Sequence, residues 1–384
     1  MTKIQLESKF EPEFKALVEA FRDNFAQHGE TGAAIAVYQK GELVVNAYGS
    51  HQSANGIWRP ADRVCTMSAC KAPLAFCIHL LAERGLLNLD AYVSDYWPEF
   101  SSHGKAKIKV AHVLNHTSGV AIVDKVKAGD VFHWQTMVTA LEKTKPLHQP
   151  GEKIVYHAVT YGHLLGELIR RVDGRMPTQF FQQEVAEPLD LNYTLSHFDD
   201  GHTRWVNEGK TSPKLLWFYA KVLAKLPYWK LKYFAPCGPN YSPNAQAWRH
   251  AQAPAVTGEG SALGLAKFYA MLINQGRWQQ QQICQQQTVN HFITATIEGQ
   301  EQTMGRQWRM ASGVMLNSPE MVSFGSNPNA FGHFGMGGAV GFADPDRELA
   351  FAYVTEKYHQ PNKTDKSMVG YRLERLIAAL YQSS

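Results

Sequence analysis

Apolar side chains near the start of the chain recur at helical spacing and are then followed by longer apolar runs. Within residues 11–25 the apolar positions fall three or four residues apart, which predicts an amphipathic first helix. These positions are Phe14, Leu17, Val18, Phe21 and Phe25. The runs 33–38 and 43–48 are separated by a short segment that ends at Gly41. Because glycine accepts the backbone conformation of a tight turn, this pattern predicts a β-hairpin.

The middle of the chain has a helical pattern, and strand patterns return toward its end. Helical runs cover residues 74–84, ending at Gly85, and residues 161–171, ending near Gly174. Four strand patterns and a last amphipathic helix follow. They cover residues 311–315, 332–334, 340–344, 349–355 and 366–381. Strands at both ends indicate one antiparallel sheet built from both termini, with the helices inserted between them.

This order of elements predicts an α+β fold with two parts. Residues 1–65 and 305–384 form a sheet domain flanked by the N- and C-terminal helices, and residues 66–304 form a helix-rich inserted domain. Within the insert, residues 205–253 are rich in aromatic side chains and proline without one clean period. We interpret this stretch as a lid or pocket wall, and a helical hairpin packed on the core is an equally good interpretation.

Composition and charge exclude several classes of partner. The chain has 384 residues, of which 45% are hydrophobic, and a formal net charge of only +4. Since the basic residues are scattered, we expect a globular protein with no nucleic-acid partner. No stretch reaches the roughly 18 consecutive apolar residues that a membrane span requires. The oligomeric state is left open.

The cysteines and the first residues predict a cytoplasmic protein. Five cysteines, an odd number without paired spacing, favour reduced thiols over a disulfide framework. They are Cys65, Cys70, Cys77, Cys237 and Cys284. Residues 1–15 lack the apolar run of a secretory signal, although a signal peptide that had been removed would leave the same pattern.

Two serines are each followed by a lysine three residues later. A serine needs a nearby base to act as a nucleophile, and a lysine one helical turn later can be that base once its charge is suppressed. Ser68 and Lys71 have this spacing at the start of a long apolar helical run, where both side chains share one face. Ser102 and Lys105 have it in a polar loop, where we expect no fixed geometry. Ser68 is therefore the candidate nucleophile, and Pro73 predicts an irregular first turn after it.

Several flanking motifs occur together in a characteristic order. They are the hairpin at 33–49, the segments 83–90, 96–100, 114–119 and 150–151, Tyr156, and the strands at 332–353. This set resembles the serine β-lactamase and penicillin-binding-protein family. Within that family it is most similar to the class C-like branch, nearest to the β-lactamase-related carboxylesterases. The resemblance covers most of the chain and implies a β-lactamase/transpeptidase-like fold and catalysis through an acyl-enzyme.

The resemblance also implies roles for residues far from Ser68 in the chain. Tyr156 corresponds to the tyrosine of the family's Tyr-x-Asn motif, which faces the serine and the lysine and handles protons. Whether Tyr156 or Lys71 is the immediate base stays open. His333 and Gly335 begin and end the triplet that corresponds to the family's Lys-Thr-Gly.

Near this triplet the resemblance implies an oxyanion hole formed by the backbone N–H groups of Ser68 and Met336. It further implies that His333 orients the substrate or supports proton transfer. Gly335 fits a strand edge that a ligand approaches closely, and a plain turn also explains it. The remaining histidines show no metal-ligand spacing, and no nucleotide fingerprint is present, so we expect no metal and no cofactor.

Departures from the family motifs bear on the substrate. Ala158 replaces the asparagine of Tyr-x-Asn, and His333 and Phe334 replace the lysine and threonine that β-lactamases use near the carboxylate of the drug. A neutral ester needs none of these contacts, so we expect a small-molecule ester or amide substrate and a carboxylesterase. The alternative enzymes are a β-lactamase and a peptidase or transacylase acting on D-amino-acid peptides. The alternative outside enzymes is an inactive scaffold or binding protein of the same fold.

Overall fold

The structure of this chain, a computed structural model, covers most of its length. It describes residues 4–51, 56–198, 200–207, 236–238, 241–318, 320–321, 323–359 and 370–382. Much of the predicted lid or pocket wall, at 208–235 and 239–240, lies outside the described residues. Residues 366–369, at the start of the predicted last helix, also lie outside them.

The described residues contain one large antiparallel sheet and two small ones. In chain order the strands are β1 (Ile4–Phe10), β2 (Gly32–Gln39), β3 (Glu42–His51), β4 (Val64–Cys65), β5 (Tyr193–Thr194), β6 (Glu259–Gly260), β7 (Arg277–Trp278), β8 (Gln281–Gln282), β9 (Ile297–Gln300), β10 (Gln307–Met310), β11 (Met315–Leu316), β12 (Phe331–Phe334), β13 (Val340–Asp344) and β14 (Leu349–Thr355). The large sheet has the order β1-β3-β2-β14-β13-β12-β11-β10-β9. Both ends of the chain therefore contribute to one sheet.

The predicted hairpin is the pair β2 and β3. Lys40 and Gly41 connect the strands with φ values of 51° and 82°. Two consecutive residues of positive φ form the turn whose twist suits a two-residue hairpin connection. All seven residues of β14 and nearly all of β2 are buried, so both faces of the sheet are covered at its centre.

In the described residues, helices pack on the large sheet and form much of the chain between its N-terminal and C-terminal strands. They are α1 (Lys15–Gln27), α2 (Lys71–Glu83), α3 (Val93–Tyr96), α4 (Val110–Leu114), α5 (Trp134–Lys143), α6 (Thr160–Asp173), α7 (Pro177–Phe181), α8 (Gln246–Arg249), α9 (Ala262–Ile273), α10 (Gln286–Ile293) and α11 (Tyr371–Leu380). Helices α1 and α11 pack on each other, and α9 packs on β2, β13 and β14. Within the described ranges, no helix combines the length and the apolar character needed to cross a membrane.

The sheet extends further back along the chain than the predicted boundary at 304/305. Strand β9 pairs with β10 although residues 297–300 fall in the predicted insert. The residues of β9 alternate between half-buried and exposed, and one of them is a glycine. The sequence therefore has no apolar run that would predict a strand here. The strand predicted at 311–315 is wrong, because Gly313 with φ 125° separates β10 from β11. The division into two domains stays a prediction.

Helix α2 lies at the centre of the helical part, and nearly all of its residues are buried. It packs on α6, α7 and α10, which explains why its sequence is apolar on every face. The turn before α2 contacts β12 of the large sheet. The N-terminal end of α2 therefore lies where the helices meet the sheet.

Candidate active site

Ser68 lies in a short 3-10 helix, Met67–Cys70, directly before α2. Met67 enters this turn with a positive φ of 48°, a conformation that costs a non-glycine residue about 1 kcal/mol or more. Pro73 is the third residue of α2, where its missing N–H belongs to the first turn. The irregular turn predicted from Pro73 is thus observed. Ser68 is the partly exposed residue of this 3-10 turn, and its three neighbours there are buried.

Lys71 is fully buried beside Ser68. Its Nζ lies 3.0 Å from Ser68 Oγ, 2.9 Å from the carbonyl oxygen of Ala158 and 2.8 Å from the carbonyl oxygen of Ala255. Tyr156 completes the surroundings, since Nζ lies 5.0 Å from the centre of its ring. The i, i+3 spacing predicted from the sequence therefore does bring the lysine nitrogen to the serine hydroxyl.

The surroundings of Lys71 make its neutral form far more accessible than that of a lysine in water. Burial lowers the pKa of Lys71 to about 7, and among the described residues it has no ion-pair partner. A neutral amine has two N–H groups and one lone pair. Because two backbone carbonyls accept hydrogen bonds from the nitrogen, the lone pair of the neutral form faces Ser68 Oγ. This arrangement makes Lys71 able to accept the serine proton.

Tyr156 is buried against both Ser68 and Lys71. Burial raises the pKa of its phenol above the usual value, and a side-chain hydrogen bond with Ser68 acts in the opposite direction. The phenol is therefore protonated at neutral pH and available as a proton donor. The tyrosine predicted from the motif lies at the serine, as expected.

Residues for which the sequence predicted no contact with Tyr156 hold it in place. Its backbone N–H donates to the buried carboxylate of Glu301 at 3.0 Å. Its ring packs on His116 and Trp308, with ring centres 4.9 Å and 5.3 Å away. Glu301 follows β9 by one residue, and no local pattern in the sequence connects it with Tyr156.

His333 is buried at the end of β12, with its ring centre 6.3 Å from that of Tyr156. Its Nδ1 lies 2.7 Å from the carbonyl oxygen of Phe334, so Nδ1 carries the proton. Its Nε2 is buried without a hydrogen-bond partner among the described residues. Burial and the charge of Lys71 lower the pKa of His333 to about 3, so the ring is neutral.

The chain turns sharply after β12 and runs against the Ser68 segment. A Cβ atom at Gly335 would lie 1.9 Å from the carbonyl oxygen of Thr66, so only glycine fits there. Within the described part of the chain, the N–H groups of Ser68 and Met336 donate to no backbone carbonyl. The Met336 side chain is exposed. These N–H groups remain candidates for an oxyanion hole.

The second Ser-x-x-Lys pair lies elsewhere and is more ordered than expected. Lys105 is fully buried, and its Nζ donates to the carbonyls of Ser102, Glu142 and Thr144 at 2.8, 2.9 and 2.7 Å. The prediction that this pair lacks a fixed geometry is wrong. The polar loop sequence hid the burial because backbone oxygens enclose the ammonium group, and the nearby ring of Phe100 precedes Lys105 by five residues.

Comparison with known proteins places this arrangement among related enzymes. The protein-family model described as Beta-lactamase matches residues 14–370. The esterase/beta-lactamase LipL of Mycobacterium tuberculosis is 28% identical over 362 residues, which cover 91% of this chain and 83% of LipL. In the described residues, no group of three or more His, Cys, Asp or Glu side chains is arranged so that it could hold a metal ion.

Two solved structures are similar over nearly their whole length. A family VIII carboxylesterase has a TM-score of 0.86 at 28% identity, with 99% of this chain and 100% of that chain covered. A penicillin-binding protein homologue from Caulobacter crescentus has a TM-score of 0.84 at 28% identity, with the same coverage. These similarities confirm the predicted α+β fold of the β-lactamase/transpeptidase type.

Proposed function

This chain belongs to the β-lactamase family, and on that premise we propose that it is a serine hydrolase that cleaves carboxylic esters through an acyl-enzyme on Ser68. The observation that carries the proposal is the contact of 3.0 Å between Ser68 Oγ and the nitrogen of a fully buried lysine. Burial brings the pKa of Lys71 to about 7, close to the pH at which a general base is most efficient.

The first half of the reaction forms the acyl-enzyme. Ser68 Oγ attacks the ester carbonyl while the lone pair of Lys71 takes the hydroxyl proton. The N–H groups of Ser68 and Met336 bind the oxygen that becomes negative in the tetrahedral intermediate. Tyr156 then gives its phenol proton to the leaving alcohol and regains a proton from the Lys71 ammonium group. This order assigns Lys71 as the immediate base, because the phenol keeps its proton at neutral pH.

The second half releases the acid. A water molecule attacks the acyl carbonyl at the place the alcohol has left, and gives a proton to Tyr156 while Tyr156 gives its own proton to Lys71, which reverses the first route. The bond between the acyl carbon and Ser68 Oγ then breaks, and Lys71 returns the proton to Ser68 Oγ. Transfer to a second alcohol in place of water uses the same steps, so transacylation is a variant of this mechanism.

The neutral surroundings of the site support an ester without a carboxylate near the reacting bond. His333 is neutral because its pKa is lowered to about 3, and Phe334 has no hydroxyl. The positions that would otherwise provide a cation and a hydroxyl for a substrate carboxylate therefore provide neither. The names of LipL, an esterase/beta-lactamase, and of the family VIII carboxylesterase support the same substrate class.

A β-lactamase or an enzyme acting on D-amino-acid peptides is the second candidate. It is favoured by the name of LipL, which includes β-lactamase, and by the similarity to the penicillin-binding protein homologue. These substrates carry a carboxylate near the scissile amide, which a neutral His333 does not attract. We therefore expect weak turnover of them.

Hydrolysis of p-nitrophenyl esters from acetate to octanoate, measured beside nitrocefin, tests the proposal. We expect ester turnover that is lost in Ser68→Ala and strongly reduced in Tyr156→Phe, with little nitrocefin cleavage. Ser102→Ala is the matched control, since this exposed serine has the same spacing to a lysine, and it should keep full activity. Turnover that survives in Ser68→Ala would remove the proposed nucleophile, and dominant nitrocefin cleavage would favour the second candidate.

A fluorophosphonate probe tests whether the chain is an enzyme at all. An activated Ser68 should be labelled stoichiometrically, and Ser68→Ala should not be labelled. A chain that is an inactive scaffold has no activated serine, so absence of labelling in the folded wild-type protein would support that alternative.

A further inference from the structure

His157 lies between the two residues that contact the active-site lysine. Tyr156 precedes it, and the carbonyl of Ala158, which follows it, accepts a hydrogen bond from Lys71 at 2.9 Å. The His157 side chain is fully buried and contacts neither Ser68 nor Lys71 by a hydrogen bond. Its ring instead bonds to Ser118, in the loop after α4.

The hydrogen bonds of the His157 ring fix its tautomer. Nδ1 lies 2.6 Å from the carbonyl oxygen of Val155, which only accepts, so Nδ1 carries the proton. Nε2 is then an acceptor, and the Ser118 hydroxyl, 2.6 Å away, donates to it. Ser118 Oγ in turn accepts the N–H of Val120 at 3.1 Å. Every donor in this chain of hydrogen bonds therefore has one acceptor.

The backbone on either side of His157 is held by the same loop. The N–H of His157 donates to His116 Nδ1 at 3.1 Å, and the N–H of Val155 donates to the His116 carbonyl at 3.0 Å. Thr160 Oγ1 donates to the carbonyl of Val120 at 2.8 Å. The loop 116–120 thus fixes the segment 155–160 at several points, and the His157–Ser118 hydrogen bond joins two of their side chains.

We propose that His157, held by Ser118, is a positioning residue for catalysis. It fixes the segment 155–158 so that the Tyr156 phenol faces Ser68 and the Ala158 carbonyl faces Lys71. This inference rests on the proposed function, because it assigns His157 an effect on that reaction. A displacement of about 1 Å in a reacting group can lower a rate about 100-fold. His157 is neutral at any assay pH, because burial lowers its pKa to about 3, so it acts through position and not through charge.

The test compares His157→Phe, which keeps the ring but removes both hydrogen bonds, with His157→Asn, which keeps a donor for the Val155 carbonyl. Ser118→Ala is the milder variant should His157→Phe fail to fold. His79→Phe is the matched control. His79 is also buried, lies on α2 and bonds through Nε2 to a backbone carbonyl, that of Ser312, at 2.7 Å.

We expect His157→Phe to lower kcat for a p-nitrophenyl ester by about 30-fold while KM changes less than about threefold, since positioning acts on the transition state. His157→Asn should recover part of kcat, and Ser118→Ala should lower it less than His157→Phe. In the Tyr156→Phe background the same substitution should cost several times less, because one group that His157 positions is gone. His79→Phe should lower the unfolding temperature and leave kcat unchanged.

Two outcomes would overturn the inference. One is a kcat of folded His157→Phe and Ser118→Ala equal to that of the wild type, with only the unfolding temperature lowered as in His79→Phe. The other has two parts: His157→Phe lowers kcat equally with and without Tyr156→Phe, and His79→Phe lowers kcat by the same factor. That result would indicate a general structural effect. Both differ from failure of the proposed function, which is retained ester turnover in Ser68→Ala.

Discussion

Lys71 and Lys105 are both fully buried lysines three residues after a serine, yet their nitrogens meet different oxygen atoms. Lys105 has three backbone carbonyls around it, one of them that of Ser102 itself. Lys71 has two carbonyls and the side-chain hydroxyl of Ser68. Each nitrogen also lies near an aromatic ring, 5.2 Å from that of Phe100 and 5.0 Å from that of Tyr156.

The difference lies in one acceptor. Three carbonyls satisfy the three N–H groups of an ammonium ion, so Lys105 is stable as a cation that ties a loop to the end of α5. The Ser102 hydroxyl points elsewhere and donates to the carbonyl of Glu99 at 2.9 Å. At Lys71 the third oxygen is itself a donor, so the neutral amine fits as well as the cation. Burial alone therefore does not distinguish Lys71, the proposed base, from Lys105, whereas the position of the serine hydroxyl does.

Replacing each lysine by methionine should produce the largest contrast. Lys71→Met removes the proposed base, and we expect kcat/KM for a p-nitrophenyl ester to fall about 1,000-fold, within the range for a general base. Lys105→Met takes the ammonium donor away from the carbonyls of Ser102, Glu142 and Thr144, and we expect the free energy of unfolding to fall by about 3 kcal/mol with kcat unchanged. Ester kinetics and urea unfolding of both variants measure these effects. A folded but inactive Lys105→Met variant would contradict the purely structural role of Lys105.

One glycine beside each pair offers a second contrast. Gly335→Ala puts a Cβ atom on the carbonyl of Thr66, so the end of β12 must move away from Ser68, and we expect kcat/KM to fall about 100-fold. Gly104, between Ser102 and Lys105, has φ +87° and open space around its Cβ position. Gly104→Ala should cost about 1 kcal/mol of stability through backbone strain and leave ester turnover intact. Equal activity of the two variants would contradict a tight fit at Gly335.

The pH dependence should provide the smallest and most specific contrast. Lys71 accepts a proton only when neutral, so kcat/KM should fall about tenfold per pH unit below a midpoint near 7, where the pKa of Lys71 lies. The pKa of Lys105 is lowered to about 8, also by burial. The acid limb should keep its midpoint in Lys105→Met. A midpoint that moves in Lys105→Met would show that the acid limb does not report Lys71 alone.

Local pattern was sufficient for the elements that frame the site. The strands predicted at 340–344 and 349–355 agree with β13 and β14, and the predicted hairpin agrees with β2 and β3. Strands β1 and β9 were not predicted, because their burial alternates or is partial and the runs are short of apolar side chains. The sequence motifs also placed Ser68, Lys71 and Tyr156 near one another, as the structure does. The helical spacing indicates the first two, and the order of the family motifs along the chain indicates Tyr156.

The sequence by itself determined which side chains are candidates for the chemistry and that Ser68 and Lys71 lie at the start of a helix, since these follow from side-chain identity and local period. Only the tertiary structure decided that Lys71 is buried between the carbonyls of Ala158 and Ala255, and that Glu301 holds the backbone of Tyr156. Every residue has a backbone carbonyl, so the identity of residue 158 or 255 carries no signal for this role. The burial that lowers the pKa of Lys71 arises from segments far apart in the chain, and the fold alone brings them together.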